Sequence, residues 1–266
     1  MNHFPPRRLK PHNKKDKTWV VWSRQVPRNA IVFVHGYMGN AITTWSMFES
    51  MLPLRPKAKD YDLFFYGYDC VTSNTTAQGR LLCDFLHKLW TSPGNVARDS
   101  LPSATDRTSF PGYQRVVVVG HSIGGIVCRR ALLFAKGLKY GWMPATKMVL
   151  FAPAHNGAKI YGLLAEMPWL NLVTTPLVFF SPLIKEVDPR SPSIKQLYRE
   201  VVKAVRQGAT YLKAEKVVVA ATEWVVDNVP FPVDPVPEAS QGTTHRSVCK
   251  PSSVYSDPVD HVEDVM

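Results

Sequence analysis

The chain has 266 residues, with 32 Lys and Arg against 21 Asp and Glu, giving a net charge of +11. Apolar residues make up 45%, enough for a substantial core, and no heptad or Gly-X-Y period appears, which excludes coiled-coil, collagen-like and low-complexity classes. Four cysteines (Cys70, Cys83, Cys128 and Cys249) are too sparse for a disulfide framework and make no C-x-x-C pair, so they are expected as buried, reduced thiols of a cytoplasmic protein.

Residues 1–18 carry Arg7, Arg8, Lys10, Lys14, Lys15 and Lys17 against Asp16 alone, with Pro5, Pro6 and Pro11 among them. A flexible, solvated basic arm is expected there, without the apolar stretch of a signal peptide. Short apolar runs follow. Trp19–Trp22, Ile31–Val34, Leu63–Tyr66, Val116–Val119, Met148–Phe151 and Val217–Ala221 read as six strands. Several are apolar on every residue, the pattern of parallel strands covered on both faces.

Helical patterns fall between them. Thr75–Trp90 spaces Leu81, Leu82, Phe85, Leu86 and Leu89 on one face. Ile123–Lys136 follows the fourth strand directly, with Gly137 as its stop. Ile194–Val205 keeps an i, i+3, i+4 rhythm, with Ser193-x-x-Gln196 as a capping box and Gly208 as its stop. Strand–helix alternation implies an α/β domain with a mostly parallel sheet. Thr91–Gly112 reads as a long surface loop. Residues 155–212 read as a cap or lid inserted into a core of 19–154 and 213–266.

Met167–Ile184 is free of charge but holds Pro168, Pro176 and Pro182, which argues against a spanning helix. Its apolar, aromatic character suits a lid over a site for apolar or bulky substrates. The net charge alone raises nucleic-acid binding, but no basic stripe interleaved with aromatics appears, so no nucleic-acid partner is expected.

The residues with chemical potential cluster after the strands. Gly120-His121-Ser122-Ile123-Gly124 is a G-x-S-x-G motif between a strand and an apolar helix, the setting of a nucleophile elbow. The turn would strain Ser122, the flanking glycines would remove clashing side chains, and the helix N-terminus would face a developing oxyanion. His35-Gly36-Tyr37-Met38-Gly39 follows the second strand and can offer a second amide. Tyr37 and Ile123 are the expected oxyanion donors, with Met38 as the alternative to Tyr37.

A serine hydroxyl needs a base oriented by a carboxylate. In the order Ser, acid, His, the later histidines are His155, His245 and His261. His155 precedes any plausible acid strand and His261 sits in the C-terminal tail, which leaves His245. The acid should follow the sixth strand, where Glu223 comes first, Asp227 is its rival and Asp234 lies further on. His121 and Glu166 read as packing or surface residues.

Together His35-Gly36, Gly120–Gly125, Phe151–Gly157, Ala220–Val226 and His245–Pro251 resemble the α/β-hydrolase superfamily, and within it small lipase-like or esterase-like serine hydrolases. The resemblance implies an eight-stranded sheet, with the two strands not seen above lying before Ile31 and in the long loops. It also implies a Ser-His-acid triad cleaving carboxylic esters through an acyl-enzyme, with no cofactor and no metal. The family's acid pattern places Asp where Glu223 stands and Gly where Ala220 stands, so Glu223 and Asp227 both remain open. Lactonase, thioesterase, amidase and acyltransferase chemistry use the same machinery, and a non-catalytic binding module is a further alternative.

Overall fold

The computed structural model describes residues 2–9, 17–97, 100–101, 107, 110, 112–158, 181–227 and 229–266. Its strands are β1 (Arg7–Arg8), β2 (Trp19–Val21), β3 (Asn29–Val34), β4 (Tyr61–Tyr66), β5 (Arg115–His121), β6 (Thr146–Phe151), β7 (Lys216–Ala220) and β8 (Glu238–Ser240). They form an eight-stranded sheet in the order β1-β2-β4-β3-β5-β6-β7-β8. The pairings β1–β2 and β2–β4 are antiparallel and all others are parallel.

The unbroken apolar runs read as central strands are central. Ile31–Val34, Val116–Val119 and Met148–Phe151 are almost wholly buried, as strands sandwiched between two helical layers must be. Phe33 stacks on Phe65 at 4.7 Å and also meets Trp45 and Phe48, which seals one face. Among the described residues the helices are α1 (Phe48–Met51), α2 (Thr75–Thr91), α3 (Pro93–Ala97), α4 (Ile123–Gly137), α5 (Pro182–Glu186), α6 (Pro192–Arg206) and α7 (Asp257–Glu263).

The two strands invisible in the hydropathy pattern are β1 and β8. Both are short and carry exposed charged residues, so neither shows an apolar run. Residues 2–9 are therefore tied to the sheet edge, with Pro5–Arg8 still exposed. Phe4 N–H donates to the Trp22 carbonyl at 2.8 Å, a His3 ring nitrogen meets the Tyr61 carbonyl at 2.8 Å, and Leu9 is buried. The rest of the expected arm, residues 10–16, lies outside the described residues. Within Thr91–Gly112, expected as a surface loop, α3 forms and Arg107 is buried against Asp62, whose carboxylate also accepts from Tyr113 at 2.8 Å. The capping box expected at Ser193 does not form. Pro192 occupies the first turn of α6, Ser191 Oγ accepts the Ser193 N–H, and Gln196 donates instead to Glu200. Gly137 is the last residue of α4 rather than its stop, and the left-handed position falls on Lys139.

In-register pairing decides where the site can be. Val34 lies opposite Gly120, and Gly120 opposite Leu150, so the C-terminal ends of β3, β5 and β6 are level. Chain leaving these ends enters the crevice where α/β sheets build their sites.

Candidate active site

Ser122 stands between β5 and α4 with φ 54° and ψ −123°, a left-handed backbone that L residues rarely adopt. Such a residue costs about 1–3 kcal/mol and persists only where its surroundings over-determine it. Here the Ser122 N–H donates to the Phe151 carbonyl at 2.9 Å, and the Ser122 carbonyl accepts from Ala154 and Gly125 at 3.2 and 3.1 Å. The glycines are steric requirements. A Cβ on Gly124 would lie 2.1 Å from the Val34 carbonyl oxygen, one on Gly120 would lie 2.8 Å from Gly125 N, and one on Gly36 would lie 2.9 Å from Ser122 Cβ.

His245, 123 residues downstream, follows β8 and is 1% exposed. Its Nε2 lies 3.0 Å from Ser122 Oγ and its Nδ1 lies 3.1 Å from Glu223 Oε2. A carboxylate can only accept, so Nδ1 carries the proton and Nε2 accepts from the serine hydroxyl. Glu223 is held by its own turn, its Oε1 accepting the N–H groups of Val225 at 2.9 Å and Val226 at 3.2 Å. Of the two carboxylates left open above, the ring meets Glu223 rather than Asp227. Thr222 Oγ1 donates to the Thr243 carbonyl at 2.9 Å, and Thr243 Oγ1 to that of Ser240 at 2.8 Å, so the acid and imidazole loops are braced together.

His121 has a part that the linear sequence does not suggest. Its Nε2–H donates to the backbone carbonyl of His245 at 2.8 Å. Burial, reinforced by His245, holds its pKa down to about 3, so the ring stays neutral and keeps this donor across the physiological range. The one available signal was position, since His121 is the last residue of β5 and sits at the crevice edge.

The His35–Gly39 turn closes the opposite wall. Gly39 N–H donates to the Gly36 carbonyl at 3.1 Å, Tyr68 OH donates to the His35 carbonyl at 2.6 Å, and Met38 takes φ 49°. Among the described residues no backbone carbonyl accepts the N–H of Tyr37 or of Ile123. Also among the described residues, no group of three His, Cys, Asp or Glu could hold a metal ion.

Residues 159–180 of the expected lid lie outside the described residues. Both chain ends leading to them are rooted near the site. Ala158 bridges to Val226, three residues past Glu223, and donates to the Val187 carbonyl at 2.9 Å. Ser181 Oγ donates to the Val71 carbonyl at 2.7 Å, and Glu186 accepts the Thr75 N–H at 2.6 Å at the start of α2.

Because the Val34 carbonyl is backbone and cannot yield, Gly124→Ala should destabilise the fold by about 1–3 kcal/mol or more. Chemical denaturation checks this; a midpoint equal to wild type would show that the β3–α4 contact is looser than described.

Solved structures share the fold, among them the following three. The mature form of Bacillus licheniformis lipase BlEst2 superposes with a TM-score of 0.60 at 15% identity, covering 91% of this chain and 95% of that one. The peroxisomal alpha-beta-hydrolase Lpx1 of Saccharomyces cerevisiae gives 0.57 at 12% identity, covering 100% and 90%. The Pyrococcus furiosus esterase PF2001 gives 0.54 at 13% identity, covering 98% and 88%. Comparison with curated proteins gives no match. A family model described as the alpha/beta hydrolase family matches residues 31–257. With an elbow serine at the end of β5 and most of its length inside that match, the chain belongs to the alpha/beta hydrolase family.

Proposed function

We propose that the chain is a serine hydrolase of carboxylic esters, with Ser122 as nucleophile, His245 as general base and acid, and Glu223 as the orienting carboxylate. The observation that carries this reading is the continuous chain of contacts from Glu223 Oε2 to His245 Nδ1 at 3.1 Å and from His245 Nε2 to Ser122 Oγ at 3.0 Å. Ser122 Oγ attacks the ester carbonyl as its proton passes to Nε2. The new imidazolium is stabilised by the buried Glu223 carboxylate. The oxyanion is received by the N–H groups of Tyr37 and Ile123, the latter at the positive end of α4. His245 then protonates the leaving alcohol, and water enters by the reverse sequence to release the acid and regenerate Ser122.

A neutral short-chain chromogenic ester tests the chemistry. Wild type should turn it over, and Ser122→Ala should lose about 10⁴-fold or more in kcat while melting like wild type. Residual activity within tenfold of wild type would end the reading.

His121 acts on this cycle as a positioning residue, because its bond to the His245 carbonyl sets where the base loop stands. His121→Phe should lower kcat by about 10- to 100-fold with KM little changed, since small misplacement of a catalytic group is costly. His121→Asn, which restores a donor, should recover part of the loss. Equal kcat in both variants, whether high or low, contradicts the positioning role.

The substrate class we infer is apolar or bulky esters, from the charge-free stretch Met167–Ile184 within the 155–212 insertion. Replacing residues 167–180 by a Gly/Ser linker should reduce kcat/KM for long acyl chains more than for acetate esters. A uniform effect across chain lengths rules this preference out.

A further inference from the structure

Outside the Ser122 crevice, a cleft of about 570 Å³ opens between the loop after β6, the turn before α6 and the first turns of that helix. Arg190, Lys195 and Arg199 line it, and none of the described residues lining it is acidic. All three residues are exposed. The N-terminus of α6, a 15-residue helix, adds the positive end of its dipole. Asp188, the acid closest in sequence to Arg190, already accepts the Arg190 N–H at 2.7 Å.

The inner end of the cleft is formed by His155, which is 3% exposed. Among the described residues its buried Nδ1 has no hydrogen-bond partner, although buried polar atoms are almost always paired. Its ring packs on Phe231 at 4.7 Å. Burial and the nearby Arg129 keep the imidazole neutral, so it offers one donor and one acceptor. Ile194 and Tyr198 supply an apolar wall beside the charges. A second cleft of about 500 Å³ shares Tyr198 and Arg199 and adds Lys203 and Arg206, so the basic track continues along the outer face of α6.

We propose that the cleft between His155 and α6 is a phosphate-binding site, taking a phosphate monoester of a small organic molecule or of a lipid headgroup. Two guanidinium forks and an ammonium match a dianion with several acceptor oxygens better than they match a single carboxylate. Arg190, Lys195 and Arg199 would hold the oxygens, His155 would meet the group from inside, and Ile194 with Tyr198 would cover its organic part. This site is separate from the ester-cleaving residues and does not depend on their assignment.

Two arms of one experiment separate the sources. Calorimetry with inorganic pyrophosphate reports a free phosphate ligand. Co-sedimentation with phosphatidylcholine vesicles, with and without phosphatidic acid, reports a headgroup. Saturable binding in either arm is expected, weakening with salt. It should fall about tenfold or more in the variant combining Arg190→Ala, Lys195→Ala and Arg199→Ala. His155→Leu, which removes the ring nitrogens, should weaken it too. Both variants should keep the wild-type melting temperature, and the arginine and lysine variant should keep turnover of a neutral ester. The proposal is overturned if wild type binds neither probe, if binding survives the triple substitution, or if His155→Leu binds as wild type does.

Discussion

The molecule is organised around a contact with no space in it: the crossing of the elbow at Ser122 over the ends of β3 and β6. The chain turns there by placing a non-glycine residue at φ 54°. Neighbours hold that strain, namely the Phe151 carbonyl below and the Gly125 and Ala154 amides around the serine carbonyl. The contact tolerates no Cβ at Gly120 or Gly124, because the atoms it would strike are main chain. Backbone strain and glycine placement are therefore one constraint. It forces the serine Oγ up into the crevice and starts α4 directly beneath it.

The remaining parts of the site are loops brought to that fixed point. Glu223 and His245 leave neighbouring strands, β7 and β8, and are joined by threonine hydroxyls before they meet the serine. Glu223 satisfies one oxygen on its own turn and keeps the other for the imidazole. Its longer side chain suits this double duty, folding back over Val225 and Val226 while reaching the ring. His121 then ties the imidazole loop to β5, so the His245 ring is referenced to the strand that leads into Ser122.

Buried ion pairs fasten long connections to this frame. Arg129 on α4 is fully buried, pairs with Asp234, donates to the Leu212 carbonyl at 2.6 Å and lies over Phe231 at 4.4 Å. Asp234 also accepts the Ala214 N–H at 2.9 Å, so one pair secures both the approach to β7 and the loop beyond Glu223. Arg107 does the same for the connection before β5, reaching Asp62 on β4 and the Ser23 carbonyl at 2.7 Å. Desolvation makes such pairs weak sources of net stability, yet losing one partner typically costs about 3–5 kcal/mol. What the contacts show is where each loop is held: Ala214 and Asp234 against α4, and Arg107 against β4.

Local signals determined much of this protein by themselves. Unbroken Val, Ile and Phe runs identified the central strands, because double-sided burial leaves no polar positions. The glycines around Ser122 identified the elbow, because only glycine fits there. Gly208, at φ 93°, marked the end of α6 because the left-handed backbone favours glycine. Tertiary structure alone decided the rest. β1 and β8 are strands because the sheet offers them an edge, since their own residues carry no apolar pattern. Glu223 is favoured by its position and Asp227 by its residue type, and only the path of the chain after β7 turns one of them to the ring. His121, His155 and Arg107 look like ordinary polar residues in the chain. What each one does depends on a partner, or a missing partner, set by residues distant in sequence, and spacing along a chain carries no information about that.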